Sequence, residues 1–285
     1  MPRSNFVPLL LLLLCSLANT AAASTETLVL GVQMPAWLER GPVRTPLAAG
    51  TKLRDNDIVI TGNNGRLLAR AADGGLVKLG ENARLKLGAS SRQVDGLPGF
   101  SALLEVARGA FRYTTAKIMR RNVTVRIASV TIGIRGTDVW GKGDANRDIV
   151  VLLEGKISLQ REGDAPITLD QPLTHYVAPK GAHAQPVMPV NADELKIWAQ
   201  ETEITPGQGA TKSDGRFRAQ VGTFDTQDTA LAQYDKLRGA GYAARIRPVA
   251  TDKLLVYAVE VAGLPTQAEA KILAERLKMI AGSER

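Results

Sequence analysis

Between residues 27 and 160 the chain alternates short β-prone runs with turn residues. The runs cover 27–34, 57–61, 66–71, 76–79, 84–87, 148–153 and 157–160. Asn63-Asn64-Gly65, Asp73-Gly74-Gly75, Glu154-Gly155 and Gly163-Asp164 separate them, residues that suit tight turns or a positive φ. The DG-type turns between apolar runs predict hairpins. Residues 122–130 alternate β-branched and polar side chains, the period of a half-buried strand. Gly133 and Gly136 then bracket Ile134 and Arg135, and Thr137, Val139 and Trp140 resume strand propensity. Glycine at such a place lets a strand kink or a second backbone approach, so 131–140 reads as a corner inside a β structure. No amphipathic helix interrupts the series. Residues 28–180 therefore read as an all-β domain, a sandwich or a partly solenoidal stack.

The pattern changes after residue 180. Residues 181–215 read as a linker with a short helix: Asn191 with Glu194 forms a capping-box arrangement, and Leu195, Trp198 and Ala199 share a face up to about residue 203. Residues 206–215 are too poor in apolar side chains to bury a core and read as a flexible tether between independent halves. Residues 216–282 form a separate module. A strand over 216–224 precedes a helix over 226–238 carrying Ala230, Leu231, Tyr234 and Leu237, closed by Gly239 and Gly241. Strands over 243–249 and 254–261 follow, with Thr251-Asp252-Lys253 between them. Thr266 with Glu269 then opens a helix whose apolar face is Ala270, Leu273, Leu277 and Ile280. The order β-α-β-β-α is a split βαβ unit of the ferredoxin-like kind.

Strand parity locates polar side chains in this module. If Phe217, Ala219 and Val221 pack under the helices, Arg216, Arg218 and Gln220 project from the other face. Likewise Ile246 inward puts Arg245 and Arg247 outward, and Val259 and Val261 inward put Ala258 and Glu260 outward. In a ferredoxin-like sheet the first and third strands are neighbours and the second lies beside the third. Four arginines, one glutamine and one glutamate then share a face that no helix covers. Such a face either grips carboxylates through two-pronged guanidinium hydrogen bonds or is a solvated surface paired with Glu260. Spacing alone supports both.

The first 23 residues read as a secretory signal: Arg3, an apolar run over 7–17, and Ala21-Ala22-Ala23 as a small-residue cleavage site. The run is shorter than the ~20 apolar residues of a membrane span. Cys15 follows the leucine run as in a lipoprotein, but Leu14 stands where a lipobox needs a small residue. Cleavage near Ala23 removes Cys15, the only cysteine, and with it any disulfide, thiolate nucleophile or cysteine-bound metal. No second apolar segment is long enough to span a membrane, so the expected location is the periplasm. The rest is long enough for two domains.

The chain has 36 Lys and Arg against 28 Asp and Glu. Export removes nucleic acid as the partner such an excess suggests and leaves the anionic polymers of the envelope. Catalytic candidates are few. His175 and His183 lie outside any metal-spacing motif, no GxSxG elbow occurs, and Asp55/Asp57 sit in a turn-like segment. Residues 136–142 (GTDVWGK) have phosphate-loop spacing, but Gly143 replaces the magnesium-binding Ser or Thr and no helix follows. Neither an enzyme nor a cofactor is expected. Arg135 is expected to satisfy nearby carbonyls, and Trp37, Trp140 and Trp198 to pack in cores or interfaces.

Two resemblances sharpen this reading. The glycine-punctuated β runs, with DIVITG at 57–62, DGGLVKLG at 73–80 and the RGT element Arg135-Gly136-Thr137, resemble the FecR domain. Gln220-Val221-Gly222-Thr223-Phe224 and Gly241-Tyr242 resemble landmarks of the SPOR domain. That resemblance implies binding of peptidoglycan glycan strands stripped of stem peptides, typically at the division septum. It implies glycan-binding roles for Arg218, Gln220, Thr223, Arg245, Arg247 and Glu260. The chain departs from the family in having Ala262-Gly263-Leu264-Pro265 where GP is usual. Only Gly282-Ser283-Glu284-Arg285 remain for a last strand, so one sheet edge is expected to stay open. The FecR resemblance implies a scaffold or interaction module for other envelope proteins. A FecR-type signalling sensor is the alternative, and a glycan-cleaving enzyme the third reading.

Overall fold

The computed structural model describes residues 26–94, 97–116, 121–251 and 254–282. The expected secretory signal with Cys15 and Ala23, residues Asp252 and Lys253, and the last three residues lie outside the described residues.

The N-terminal domain consists of two sheets that share one long strand. In the first sheet Thr27–Gln33 pairs with Arg66–Arg70, which continues through Leu76–Leu79 to the second half of Leu97–Thr114. Asp138–Gly143, Arg147–Glu154 and Thr174–Pro179 extend it. In the second sheet Ala36–Arg40, Ile58–Thr61 and Arg84–Val94 lead to the first half of Leu97–Thr114. That half pairs in parallel with Arg121–Ile127, followed by Val130–Ile134 and Ile157–Arg161. Alternate side chains of both sheets, among them Val29, Leu67, Val77, Leu85, Val125 and Ile132, enter one common core. The domain is therefore all-β, and the Asp73-Gly74-Gly75 hairpin joins the strands it was expected to join.

The shared strand changes sheets at Gly109, which pairs with Gly143 in the first sheet one residue after Arg108 pairs with Arg84 in the second. Its φ is +89, and a side-chain carbon there would lie 2.5 Å from Ala83; only glycine fits such a turn against a neighbouring backbone. The Arg135-Gly136-Thr137 corner is a second crossing. Val130–Ile134 belongs to the second sheet, and Asp138–Gly143 to the first. Buried Thr137 fixes the corner with two hydrogen bonds: its N–H donates to Thr115 Oγ1 at 2.8 Å and its hydroxyl to the Lys156 carbonyl at 3.1 Å.

Helix α1 (Ala192–Thr202) starts at Asn191, whose side chain accepts from the Asp193 N–H at 2.8 Å. It lies on the outer face of the first sheet, where Trp198 stacks on Trp140 with centroids 5.3 Å apart. Lys142 binds Glu201, while Lys78 and Arg112 bind Glu203.

The C-terminal domain has the order expected: strand Phe217–Phe224, α2 (Gln227–Gly239), strands Ala244–Ala250 and Leu255–Leu264, and α3 (Gln267–Gly282). Its sheet runs first strand, third strand, second strand. Both helices pack on one face, burying Ala219, Ala230, Leu237, Ala244, Val259, Val261, Leu273 and Leu277. Among the described residues nothing supplies a fourth strand beside Phe217–Phe224.

The tether expected at 206–215 is instead a packed junction. Thr211–Lys212 forms a strand on Thr27–Gln33, with Gly31 opposite Lys212 and Val32 opposite Thr211. Ala210 and Thr211 are buried. Both carboxylate oxygens of Glu269 accept linker amides, one from Gly207 and one from Gly209. Gln208 accepts from Asn64 on one side and from Arg276 on the other. The expectation failed because the segment needs no core of its own: backbone pairing and polar side chains of both domains satisfy it.

Candidate functional site

Register assembles the uncovered face of the C-terminal sheet. Gln220 lies opposite Glu260 and Glu260 opposite Arg245, and directly opposed residues share a face. The adjacent row is Thr223, Ala258 and Arg247. A bulge between Gln220 and Gly222 shifts the alternation by one residue. It brings Thr223 onto the face of Gln220, although strict alternation from Ala219 would turn it inward. Arg218 stands opposite Ala262 at the end of the same face, and Arg216 is exposed just before the strand.

Glu260 organises these side chains. Its carboxylate is 1% exposed, whereas Arg218, Arg245 and Arg247 around it are 40–52% exposed. Arg245 donates Nε and Nη2 to Oε1 at 3.0 and 2.8 Å, and Arg247 donates Nε to Oε2 at 3.2 Å. Arg218 Nε lies 3.5 Å from Oε1. Burying a carboxylate is costly unless charged partners receive it; here three guanidinium groups do. Glu260 thus points to the expected face but lies beneath its arginines. It holds them in place and is screened from solvent, so its contacts in this structure are with the arginines.

Three cations against one carboxylate leave an excess of two positive charges on the face. The Nη groups of Arg218 and Arg247 hold no partner among the described residues, so each keeps donors for an external acceptor. Gln220 and Thr223 are exposed beside them and can donate to or accept from hydroxyl and amide groups. The arrangement suits planar anionic groups on a polar, elongated ligand.

The other singled-out residues take structural places. Trp140 and Trp198 stack beneath α1, with His175 edge-on to Trp198 at 6.0 Å. Trp37 packs against Gly241 in the junction and carries the Arg44 guanidinium 4.5 Å above its ring. Tyr242 is buried at the same junction, and burial pushes its phenol up against the opposing pull of Arg276. Asp57 is buried, yet hydrogen bonds from Arg40 and the Arg54 amide outweigh that burial and hold its carboxyl below the usual range. Arg135 is exposed and makes no hydrogen bond or ion pair among the described residues, so it does not satisfy the corner carbonyls as expected. His183 binds Asp164 at 2.9 Å on the surface, and His183 with Arg161 holds the Asp164 carboxyl low. Among the described residues no group of three or more His, Cys, Asp or Glu is placed to hold a metal ion.

The junction residues Gln208, Glu269 and the Trp37–Gly241 pair were not anticipated from sequence. Their one signal was Glu269 at the third position of α3. In a capping box it would turn back to the helix start; here it reaches across to the linker.

The family model for FecR protein matches residues 57–158, and that for the SPOR domain matches residues 213–284. No curated protein matches the chain. Two crystal structures of a candidate anti-sigma factor from Parabacteroides distasonis are similar to it at a TM-score of 0.43. One is 11% identical and covers 70% of this chain and 97% of that one; the other is 12% identical and covers 77% and 89%. FecR and SPOR domains are non-catalytic binding or regulatory modules typical of envelope proteins, and SPOR domains bind peptidoglycan. No helix of the described residues is long and apolar enough to cross a membrane. The chain carries a FecR domain followed by a C-terminal SPOR domain.

Proposed function

We propose that this protein is a non-catalytic periplasmic envelope protein whose SPOR domain binds peptide-free glycan strands of peptidoglycan. The observation that carries the reading is the uncovered face on which Arg218, Arg245 and Arg247 converge over buried Glu260, with Gln220 and Thr223 alongside. A glycan strand without stem peptides exposes the lactyl carboxylate of each muramic acid. Guanidinium groups meet a planar carboxylate with two parallel hydrogen bonds. Gln220 and Thr223 serve the hydroxyl and acetamido groups between carboxylates. Glu260 contributes indirectly, by keeping the guanidinium groups from splaying apart under their own repulsion.

The junction adds a role for the FecR domain. Because linker residues Thr211–Lys212 pair with the FecR strand Thr27–Gln33 and the Ala36 N–H donates to the Gly241 carbonyl of the SPOR domain, the FecR domain is a scaffold presented at a fixed angle to the bound glycan, where it can engage other envelope proteins. Cosedimentation with amidase-treated sacculi, compared with intact sacculi, tests the reading. Preferential retention on the treated material supports it, and equal or absent retention contradicts it. A signalling role is the second reading, supported by the FecR match itself. It differs in requiring a partner that responds to the FecR domain whether or not glycan is bound.

A further inference from the structure

The first sheet of the FecR domain turns an unusual row of side chains outward. Leu28, Leu30, Leu68 and Leu76 alternate with the core residues of their strands, yet they are half-buried leucines where an antiparallel sheet normally presents polar groups to water. The linker roofs part of the row with Ile204 and Pro206. Between floor and roof remains a cleft of about 680 Å³, bounded on its far side by Pro265 of the SPOR domain. Its size, apolar lining and position between domains are those of small-molecule sites, which span ~300–1,000 Å³.

The charges at the rim indicate what enters. Glu203 is bound by Lys78 and Arg112, and Glu269 by the amides of Gly207 and Gly209. That leaves Arg70 and Lys212 as exposed cations without partners among the described residues, against Asp214 as the one uncommitted carboxylate. We propose that this cleft binds an amphiphile with a hydrocarbon chain and an anionic head group. The chain would lie along the four leucines and the head group between Arg70 and Lys212. The site is separate from the arginine face of the SPOR sheet. Because its walls come from the FecR strands, the linker and the SPOR domain, an occupied cleft would brace the junction.

The test is a fluorescence titration of the purified protein with cis-parinaric acid, followed by competition with dodecanoate, dodecanol and dodecylamine below their micelle concentrations. Saturable binding is expected, with dodecanoate displacing the probe at least tenfold better than dodecanol or dodecylamine. Arg70→Glu combined with Lys212→Glu, both exposed positions, should raise the dodecanoate Kd at least tenfold with an unchanged circular dichroism spectrum. Leu76→Trp should fill the cleft and abolish binding. Absent saturation, equal displacement by the three competitors, or undiminished dodecanoate binding by the Arg70/Lys212 double variant would each overturn the proposal.

Discussion

Gly241 sets its backbone against the indole of Trp37, so that a side-chain carbon at Gly241 would stand 2.6 Å from Cζ2 of the ring. The same contact carries a backbone hydrogen bond from the Ala36 N–H to the Gly241 carbonyl at 3.1 Å. The glycine that ends α2 in the SPOR domain is thus also the seat of a FecR-domain tryptophan. With φ at +86, any L side chain there is strained as well as crowded.

Gly241→Ala should therefore cost about 1–3 kcal/mol and loosen the junction before it unfolds either domain. Hydrogen exchange checks this: amides of 33–37 and 207–213 should lose protection first. Uniform loss across the SPOR helices would show that Gly241 serves only its own domain.

The packed linker makes the two domains one cooperative unit. Calorimetry should show a single unfolding transition in the wild type. Glu269→Ala removes the acceptor of two linker amides, each hydrogen bond to a charged group contributing about 1.5–3 kcal/mol, and should split the transition in two. Two transitions in the wild type would mean that 206–215 is the free tether its composition suggests.

Glu260 is expected to act as a positioning residue. Glu260→Gln keeps the shape but removes the charge that gathers Arg218, Arg245 and Arg247. It should lower stability by about 1–3 kcal/mol, an amount held down by the exposure of the arginines, and weaken glycan binding by a similar factor to loss of one arginine. Unchanged affinity in a stable variant would show that the arginines find their places without it.

Asp57 governs part of the acid limb of stability. Its folded carboxyl is held below the unfolded value of ~3.9, because Arg40 and the Arg54 amide outweigh burial. A depressed folded pKa gives stability that is complete above the unfolded pKa and is lost as pH falls through the folded one. Asp57→Asn should thus be less stable than wild type at pH 7, and the gap should close below about pH 4. Asp144 and Asp164 are held low as well, so it is the difference between the two proteins that isolates Asp57. A gap that stays constant from pH 7 to pH 3 would contradict the assignment.

What could be read from sequence followed the strength of local periodicity. Helix α1 and its Asn191 cap, both SPOR helices and the Asp73-Gly74-Gly75 hairpin rest on local patterns, and they appear within a residue or two of their expected bounds. Leu97–Thr114 escaped notice because it serves two sheets in turn, and runs such as Ala102-Leu103-Leu104 blur a two-residue period. Parity placed Gln220, Arg245 and Arg247 on the uncovered face, but the bulge that carries Thr223 there leaves no mark beyond Gly222. The burial of Glu260 was unreadable in its own strand, since it depends on arginines from the two strands beside it. The junction was least legible, because its polar contacts join residues such as Asn64, Gln208 and Arg276 that lie far apart in sequence.

The central claim is that the arginine face reads glycan carboxylates. The most direct measurement is the affinity of the purified protein for amidase-treated sacculi, compared with that of the Arg218→Ala/Gln220→Ala/Arg247→Ala triple variant across a salt series. Each charge-assisted bond contributes about 1.5–3 kcal/mol before ordering costs, and ~1.4 kcal/mol is tenfold in affinity. Loss of all three contacts should weaken binding by roughly a hundredfold or more at low salt. Wild-type affinity should fall as salt rises, and the residual affinity of the variant should fall less steeply. A folded triple variant that holds the sacculi as tightly as wild type, with the same salt dependence, would contradict the account and move glycan binding elsewhere in the molecule.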